Sequence, residues 1–460
     1  MKLAYAIIVL FAGAFAGATL VATPHDGDYR WQRWLGSTIL HAGRIPDALH
    51  AETFSAQNAP WTAHEWAFSI AAALAGTAQG FTWFAAGSAL CALLTLVLVG
   101  ERARRRGASP IAVATVTALC GIAILESFGV RAQVIAWPLF ALVLFLLDFE
   151  DGRAWCAIPI VALWANLHAS VVIAPVFAAF TAAGAAANGD RRTALRRAGL
   201  FAGMLGAVCC NPFGWHLVTY AIGVSGAPMR ADIREWQPAA LDEASLLFGS
   251  LPLALMGGFA GRAFQRRPAD AVGFLVALAL MLTAARNIAT FAIVAAPLVA
   301  PVIDAGLRRL SEPNARDVVL ERLAGTLGVI AASGLIVLLA QPPAHPNYDP
   351  PRAAIAALDR TPGRHHLLCA DFAWCSEALG SARTAVYLDG RCDPYPAAVW
   401  SDFETIVRLR PGWRRRLAGR RVDAIVAERT AHLAPALAHD HAWKQLYSDR
   451  RYVLFVRRNG

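Results

Sequence analysis

Carboxylates, imidazoles, amides and guanidinium groups fall in this chain as short clusters at the ends of apolar runs. Asp26-Gly27-Asp28 leads into Tyr29-Arg30-Trp31, and His64-Glu65-Trp66 precedes the next apolar stretch. Arg131 and Gln133, Asn166 and His168, Glu235 before Trp236, and Arg286-Asn287 punctuate later runs. A carboxylate such as Asp26, Asp28 or Glu65 can take the proton of a hydroxyl. Arg131 and Arg286 can hold a phosphate as charge develops on it. His64, Gln133, Asn166, His168, Glu235 and Asn287 are polar enough to position a substrate. Asp26 and Asp28, two residues apart, do not by that spacing aim both carboxylates at one ion, so they form a weak metal motif. No residue is assigned as a metal ligand, and a divalent cation stays open as a cofactor.

Each cluster also has a structural reading. The acids can be solvated loop groups, the arginines can extend their heads to a membrane interface, and Asn166 and His168 can join helices. What weighs against the structural reading is the shared location, which depends on the elements that carry the clusters.

Of 460 residues, 57% are hydrophobic and only 16% charged, with a mean hydropathy of +0.45. A soluble domain carries about 25% charge, and several apolar runs here approach the roughly 20 residues a helix needs to cross a bilayer. The net charge of +10 does not indicate nucleic acid, because the arginines cluster in short loops between apolar runs, where they hold those loops in the cytoplasm.

Counting crossings against those arginines gives a topology. A first helix spans about 4–22, and as a retained helix or a cleaved signal peptide (Leu20-Val21-Ala22 before Thr23) it leaves residues 23–65 outside. Residues 66–79 are apolar but short and read as an interfacial helix. Residues 81–100 return to Arg102, Arg104, Arg105 and Arg106. The run Pro110–Leu147 is broken between Glu126 and Gln133 into two helices. Ala154–Ala187 would be about 51 Å long as one helix, and it reads better as two short crossings turning around Asn166–Ser170. Residues 199–220 go out, an outer loop covers 221–244, and 245–261 return to Arg262, Arg266 and Arg267. Residues 271–285 and 288–306 form a pair turning at Arg286-Asn287, ahead of Arg308, Arg309, Arg316 and Arg322, and 323–340 exits last. The total is about eleven crossings, N-terminus inside and C-terminus outside.

Residues 1–341 thus read as an α-helical polytopic membrane domain, 342–351 as a proline-rich linker, and 352–460 as a small extracytoplasmic α/β domain. His366–Ala370, Thr384–Leu388 and Val422–Ala427 read as strands. Trp443–Tyr447 and Tyr452–Val456 read as a terminal hairpin. Of eight cysteines, Cys369, Cys375 and Cys392 fall in this part and allow one disulfide, with the pair left open. With this threading, all the clusters named above lie on the outer face, and ionisable groups at such positions face a cavity or a partner.

The ordered series Asp26-Gly-Asp28-Tyr-Arg-Trp31, Gly36, His64-Glu65-Trp66, Arg131-Ala-Gln133, Trp164-Ala-Asn166-Leu-His168, Asn211-Pro-Phe-Gly214, Glu235-Trp-Gln-Pro238 and Arg286-Asn287 resembles bacterial multi-spanning proteins of the GT-C glycosyltransferase type. Leu388-Asp-Gly-Arg391 and Asp393-Pro-Tyr395 resemble their extracytoplasmic tail. Gln32, Arg30 and Ala132 depart from the His, Trp and Pro of relatives. Asp371-Phe-Ala-Trp-Cys-Ser-Glu-Ala378 stands in place of a Gly-Gly-Tyr-Leu stretch. The resemblance implies transfer of a sugar from a polyprenyl-phosphate donor to a glycan, lipid or protein acceptor, at the outer face of a bacterial cytoplasmic membrane. It also implies catalytic roles for Asp26, Asp28 and Glu65 and substrate contacts from His64, Arg131, Gln133, Asn166, His168, Glu235, Arg286 and Asn287. A transporter or flippase of a lipid-linked or anionic solute is the first alternative, although no internal repeat supports it. A non-catalytic envelope assembly protein is the second.

Overall fold

A computed structural model describes residues 2–224, 226–231, 233–239, 243–260, 264, 267–310 and 349–458. The expected helix at 323–340, most of the linker at 342–351, and Arg262, Arg266, Arg316 and Arg322 lie outside the described residues. The chain divides into two compact units, 1–22 with 82–221 and 233–346, and 23–81 with 222–232 and 347–460.

The first unit is helical. Its elements are α1 (Lys2–Val21), α4 (Gln79–Arg105, its first turn in the second unit), α5 (Pro110–Leu125), α6 (Ala132–Leu147), α7 (Ala157–Trp164), α8 (Ile173–Ala187), α9 (Arg191–Val208), α10 (His216–Val224, its last turn in the second unit), α11 (Leu251–Gly258), α12 (Pro268–Thr283) and α13 (Ile288–Leu310). Among the described residues four stretches are long and apolar enough to cross a membrane: Leu3–Leu20, Gln79–Arg105, Ala169–Ala187 and Ala285–Gly306. Shorter apolar helices, α5, α6 and α12 among them, pack between these. α13 is the axis of the unit, packed by α5, α6, α11 and α12.

The expected break between two helices at 126–133 is present, as is the turn at 165–168 that divides Ala154–Ala187. The outward run over 199–220 is interrupted at Asn211-Pro-Phe-Gly214. Asn211 accepts from the backbone N–H of Phe213 and donates to the carbonyls of Val208 and Gly214, so α9 ends and α10 starts afresh at His216.

Charge sorts to the ends of this unit. At one end Arg102 and Arg106 both grip Asp148 at 2.7 Å, and Arg106 also holds Asp270 at 2.6 Å. Asp304 accepts from the backbone N–H of Ser109. The C-terminal ends of α4, α6 and α13 therefore meet the N-terminal ends of α5 and α12, as the arginine count expects. The opposite end carries Glu126, Arg131, Glu235 and Arg286.

The second unit joins the segment 23–81 to the C-terminal residues. α2 (Gly27–Ala42) and α3 (Trp66–Ala75) pack so closely that a Cβ on Gly36 would lie 1.9 Å from the Ser69 carbonyl oxygen. The one hydroxyl proton of buried Tyr29 is shared between the carbonyls of Gly76, at 2.7 Å, and Ala72, at 3.0 Å, closing the C-terminal end of α3. The C-terminal part is a five-stranded sheet in the order β2-β1-β3-β5-β4, built from β1 (His365–Cys369), β2 (Thr384–Val386), β3 (Ala424–Glu428), β4 (Trp443–Ser448) and β5 (Tyr452–Arg457). β1 runs parallel to β2 and β3, while β5 is antiparallel to β3 and β4. α14 (Arg352–Asp359), α15 (Ala397–Val407), α16 (Trp413–Gly419) and α17 (Leu433–Ala438) complete it. All five expected strands are present, and of the three cysteines in this part Cys369 is bonded to Cys375.

The segment 48–61 extends the sheet at β2. Phe54 N–H donates to the Val386 carbonyl at 3.2 Å, and Val386 N–H donates to the Glu52 carbonyl at 2.8 Å. Beneath this junction Arg391, wholly buried, binds Asp389 at 2.7 Å and Glu52 at 2.8 Å, with Trp34 and Trp61 near its guanidinium. Tyr395 also donates to Asp389, at 2.6 Å. Burial alone would weaken the charge on Arg391, but the two carboxylates outweigh it and hold its pKa well above the ordinary value.

Candidate functional site

In the second unit the acidic pair divides its work. Asp26 is the N-cap of α2, its carboxylate accepting the backbone N–H groups of Asp28 and Tyr29. Such a cap contributes about 1 kcal/mol. Asp28, one residue inside the first turn of α2, carries a half-buried carboxylate in a position the helix dipole favours.

Glu65, at the N-cap position of α3, accepts from the side-chain amide of Gln32, whose carbonyl in turn accepts from Ser69. His64 Nε2 stands 3.5 Å from Glu65 Oε1. Burial pulls the His64 pKa down. The hydrogen bond to Glu65 and the charges of Glu65 and Asp393 outweigh it, so the imidazole is held above its ordinary value. The result is a half-buried carboxylate–imidazole pair, positioned by the Gln32 amide.

In the first unit four of the expected residues come together. Arg131, at the N-cap of α6, donates from Nη1 to Glu235 Oε2 at 2.8 Å. Arg286 lies in the turn Ala285–Asn287 before α13. Its Nη1 is 3.9 Å from Glu235 Oε1, its Nη2 donates to Gln133 Oε1 at 3.0 Å, and its guanidinium stacks 4.0 Å above the Trp236 ring. Ala285 N–H donates to the Gln237 carbonyl at 2.8 Å, fixing the Arg234–Trp236 turn beside the Arg286 turn. The Arg131 and Glu235 side chains are 37% and 36% exposed. An ion pair that open contributes about 0–1 kcal/mol. Two guanidinium groups converging at an accessible end of a helical bundle can hold a tetrahedral oxyanion with charge-assisted hydrogen bonds.

The other expected residues are engaged separately. Asn166 donates to the carbonyls of Ala162 and Cys210, tying the turn after α7 to the end of α9. His168 accepts the Ser170 N–H at Nδ1, which leaves the imidazole proton on Nε2. Asn287 donates to the Leu280 carbonyl and closes the α12–α13 turn. Sequence reasoning did not single out Trp236, Gln32, Ser69 or Asp393 as site residues. Trp236 could have been found as the aromatic beside Glu235, and Gln32 as a polar residue one turn into the segment that follows Asp28.

No family model matches the chain, and no curated protein matches it in sequence. Solved structures do match it in three dimensions. The oligosaccharyltransferase AglB of Archaeoglobus fulgidus, in complex with an inhibitory peptide and a dolichol-phosphate, superposes with a TM-score of 0.63 at 11% identity, over 92% of this chain and 69% of that one. The likeness is one of fold. The same organism's oligosaccharyltransferase tethered to an acceptor peptide gives a TM-score of 0.60 at 13% identity, over 99% and 74% of the two chains. Its complex with Zn and sulfate gives 0.58 at 13% identity, over 98% and 73%. These matches bear out the expected architecture of apolar helices followed by a small C-terminal sheet.

Proposed function

We propose that this chain is a membrane glycosyltransferase that moves a sugar from a lipid-phosphate donor to an acceptor hydroxyl or amide at the outer face of the cytoplasmic membrane. The observation that carries the proposal is the convergence of Arg131 and Arg286 at one end of a helical bundle with this fold. In the reaction an acceptor oxygen or nitrogen loses its proton to a carboxylate and bonds to the anomeric carbon. The bond from that carbon to the phosphate oxygen breaks, and the phosphate leaves with the electron pair. Charge grows on the phosphate as the bond breaks, and fixed guanidinium groups stabilise that growth. We assign Arg131 and Arg286 to it, with Gln133 and Trp236 holding Arg286 in place.

Asp28 is the carboxylate we assign as base, because Asp26 is committed to capping α2. Glu65 serves as the second acid with His64 beside it. In the first unit Asn166, His168 and Asn287 shape the turns that follow α7 and α12. A divalent cation enters the proposal as an ion for which Glu65 and His64, whose donor atoms lie 3.5 Å apart, would be ligands. Chelation that leaves transfer unchanged removes it.

The test is transfer of labelled sugar from a panel of polyprenyl-phosphate sugars by the protein in liposomes. Wild type transfers from at least one donor, and Asp28→Asn loses transfer while keeping its thermal midpoint. No transfer from any donor moves the reading to a transporter of lipid-linked solutes, and wild-type transfer by Asp28→Asn removes that residue from the mechanism.

A further inference from the structure

The carboxylate of Glu235 lies against Arg131 at 2.8 Å and 3.9 Å from Arg286, the two groups assigned to the donor phosphate. We infer that Glu235 is a built-in competitor for that phosphate, which must displace its carboxylate to bind and which it helps to expel after transfer. The inference rests on the reading of Arg131 and Arg286 as a phosphate site, and it adds a determinant of how tightly phosphate is held there.

The geometry favours exchange over a permanent bridge. The ion pairs at the other end of the same unit are much more enclosed, with Arg102 and Arg106 only 8% and 10% exposed and both gripping Asp148. Glu235 is 36% exposed and makes one close contact and one long one to these two arginines. A carboxylate placed like this is screened by solvent and held weakly. A phosphate offers more oxygens and makes stronger charge-assisted bonds to planar guanidinium groups.

Arg286 does not depend on Glu235 for its position, because Gln133 and the Trp236 ring hold it from other directions. The backbone near Glu235 is anchored as well, through Gln237 to Ala285, so exchange proceeds by rotation of the Glu235 side chain on a fixed backbone. A ligand that binds only when a competing group has moved away has its affinity reduced by the fraction of molecules in which the site is open.

The experiment is titration calorimetry on the full chain in detergent, with farnesyl phosphate and, separately, inorganic phosphate as probes. Glu235→Gln keeps the size of the side chain but removes its charge, and should bind farnesyl phosphate about three- to tenfold more tightly than wild type. Glu235→Ala should show the same gain, and adding Arg286→Gln to Glu235→Gln should abolish it. An equal gain for inorganic phosphate supports the competition and assigns the ligand to free phosphate rather than the lipid. Unchanged or weaker binding by both Glu235 variants overturns the inference and leaves the phosphate site standing. No binding of either probe by wild type or variants overturns the inference together with the reading beneath it.

Discussion

Arg286 is fixed by a hydrogen bond to Gln133 and a stacking contact with Trp236, so its substitution should act on catalysis more than on folding. Arg286→Gln is expected to lower kcat/KM for the lipid donor about a hundredfold. Arg286→Lys should restore little of it, because an ammonium lacks the planar fork that stacks and bonds at once. Steady-state kinetics on the two variants checks this. His64 gives a pH prediction of definite sign. Its folded pKa is raised above the unfolded value of about 6.5, so the attraction to Glu65 and Asp393 is fully present below that value and is lost as pH rises through the folded pKa. The thermal midpoint of wild type should therefore exceed that of His64→Gln by most at acid pH, with the gap closing in alkali. A gap that widens with pH would contradict the assignment. At this scale Arg131, Gln133 and Arg286 could be singled out in the sequence because each interrupts an apolar run, and Glu235 because it lies in the outer loop expected over 221–244. Whether Asp26 or Asp28 caps the helix was not legible, since either residue could open α2 and only the backbone decides.

Between α2 and α3 the contact depends on a missing side chain and a buried hydroxyl. Gly36→Ala would drive a methyl into the Ser69 carbonyl, and overpacking of that kind costs about 1–3 kcal/mol. Tyr29→Phe leaves the carbonyls of Ala72 and Gly76 without that donor, at about 1–3 kcal/mol. Burial raises the Tyr29 pKa to about 12, so the hydroxyl keeps its proton at any physiological pH. Both variants should lower the thermal midpoint in detergent by several degrees, and an unchanged midpoint in either would show that the helices are not held by these contacts. The five strands were legible because their apolar runs are short and bounded by turn residues. The addition of 48–61 to the β2 edge was not, since that segment has no strand pattern and pairs with residues more than three hundred positions away. The disulfide partner was hidden for a similar reason, because three cysteines in one small domain give no local preference.

The unit made of 23–81 and the C-terminal residues has a buried ionic centre, and that centre sets its cohesion. Arg391→Gln would leave Asp389 and Glu52 without their cation, at about 3–5 kcal/mol. Limited proteolysis should then cut the 48–61 segment and the C-terminal sheet together, whereas wild-type resistance would show that Arg391 is dispensable to the unit. Sidedness belongs to this scale too. Cysteines introduced beside Arg131 and Arg286 should react with an impermeant reagent from the periplasm, and those beside Arg106 only after the membrane is breached. The paired apolar runs and arginine loops made the bundle readable from sequence, and the likeness to oligosaccharyltransferases at 11–13% identity lies in fold rather than residue identity. The most direct test of the central claim is a density map of the protein with a polyprenyl phosphate bound. Phosphorus density between the guanidinium groups of Arg131 and Arg286, with the Glu235 carboxylate turned away, is the expected result. Phosphate density elsewhere, with Glu235 still on Arg131, would contradict it.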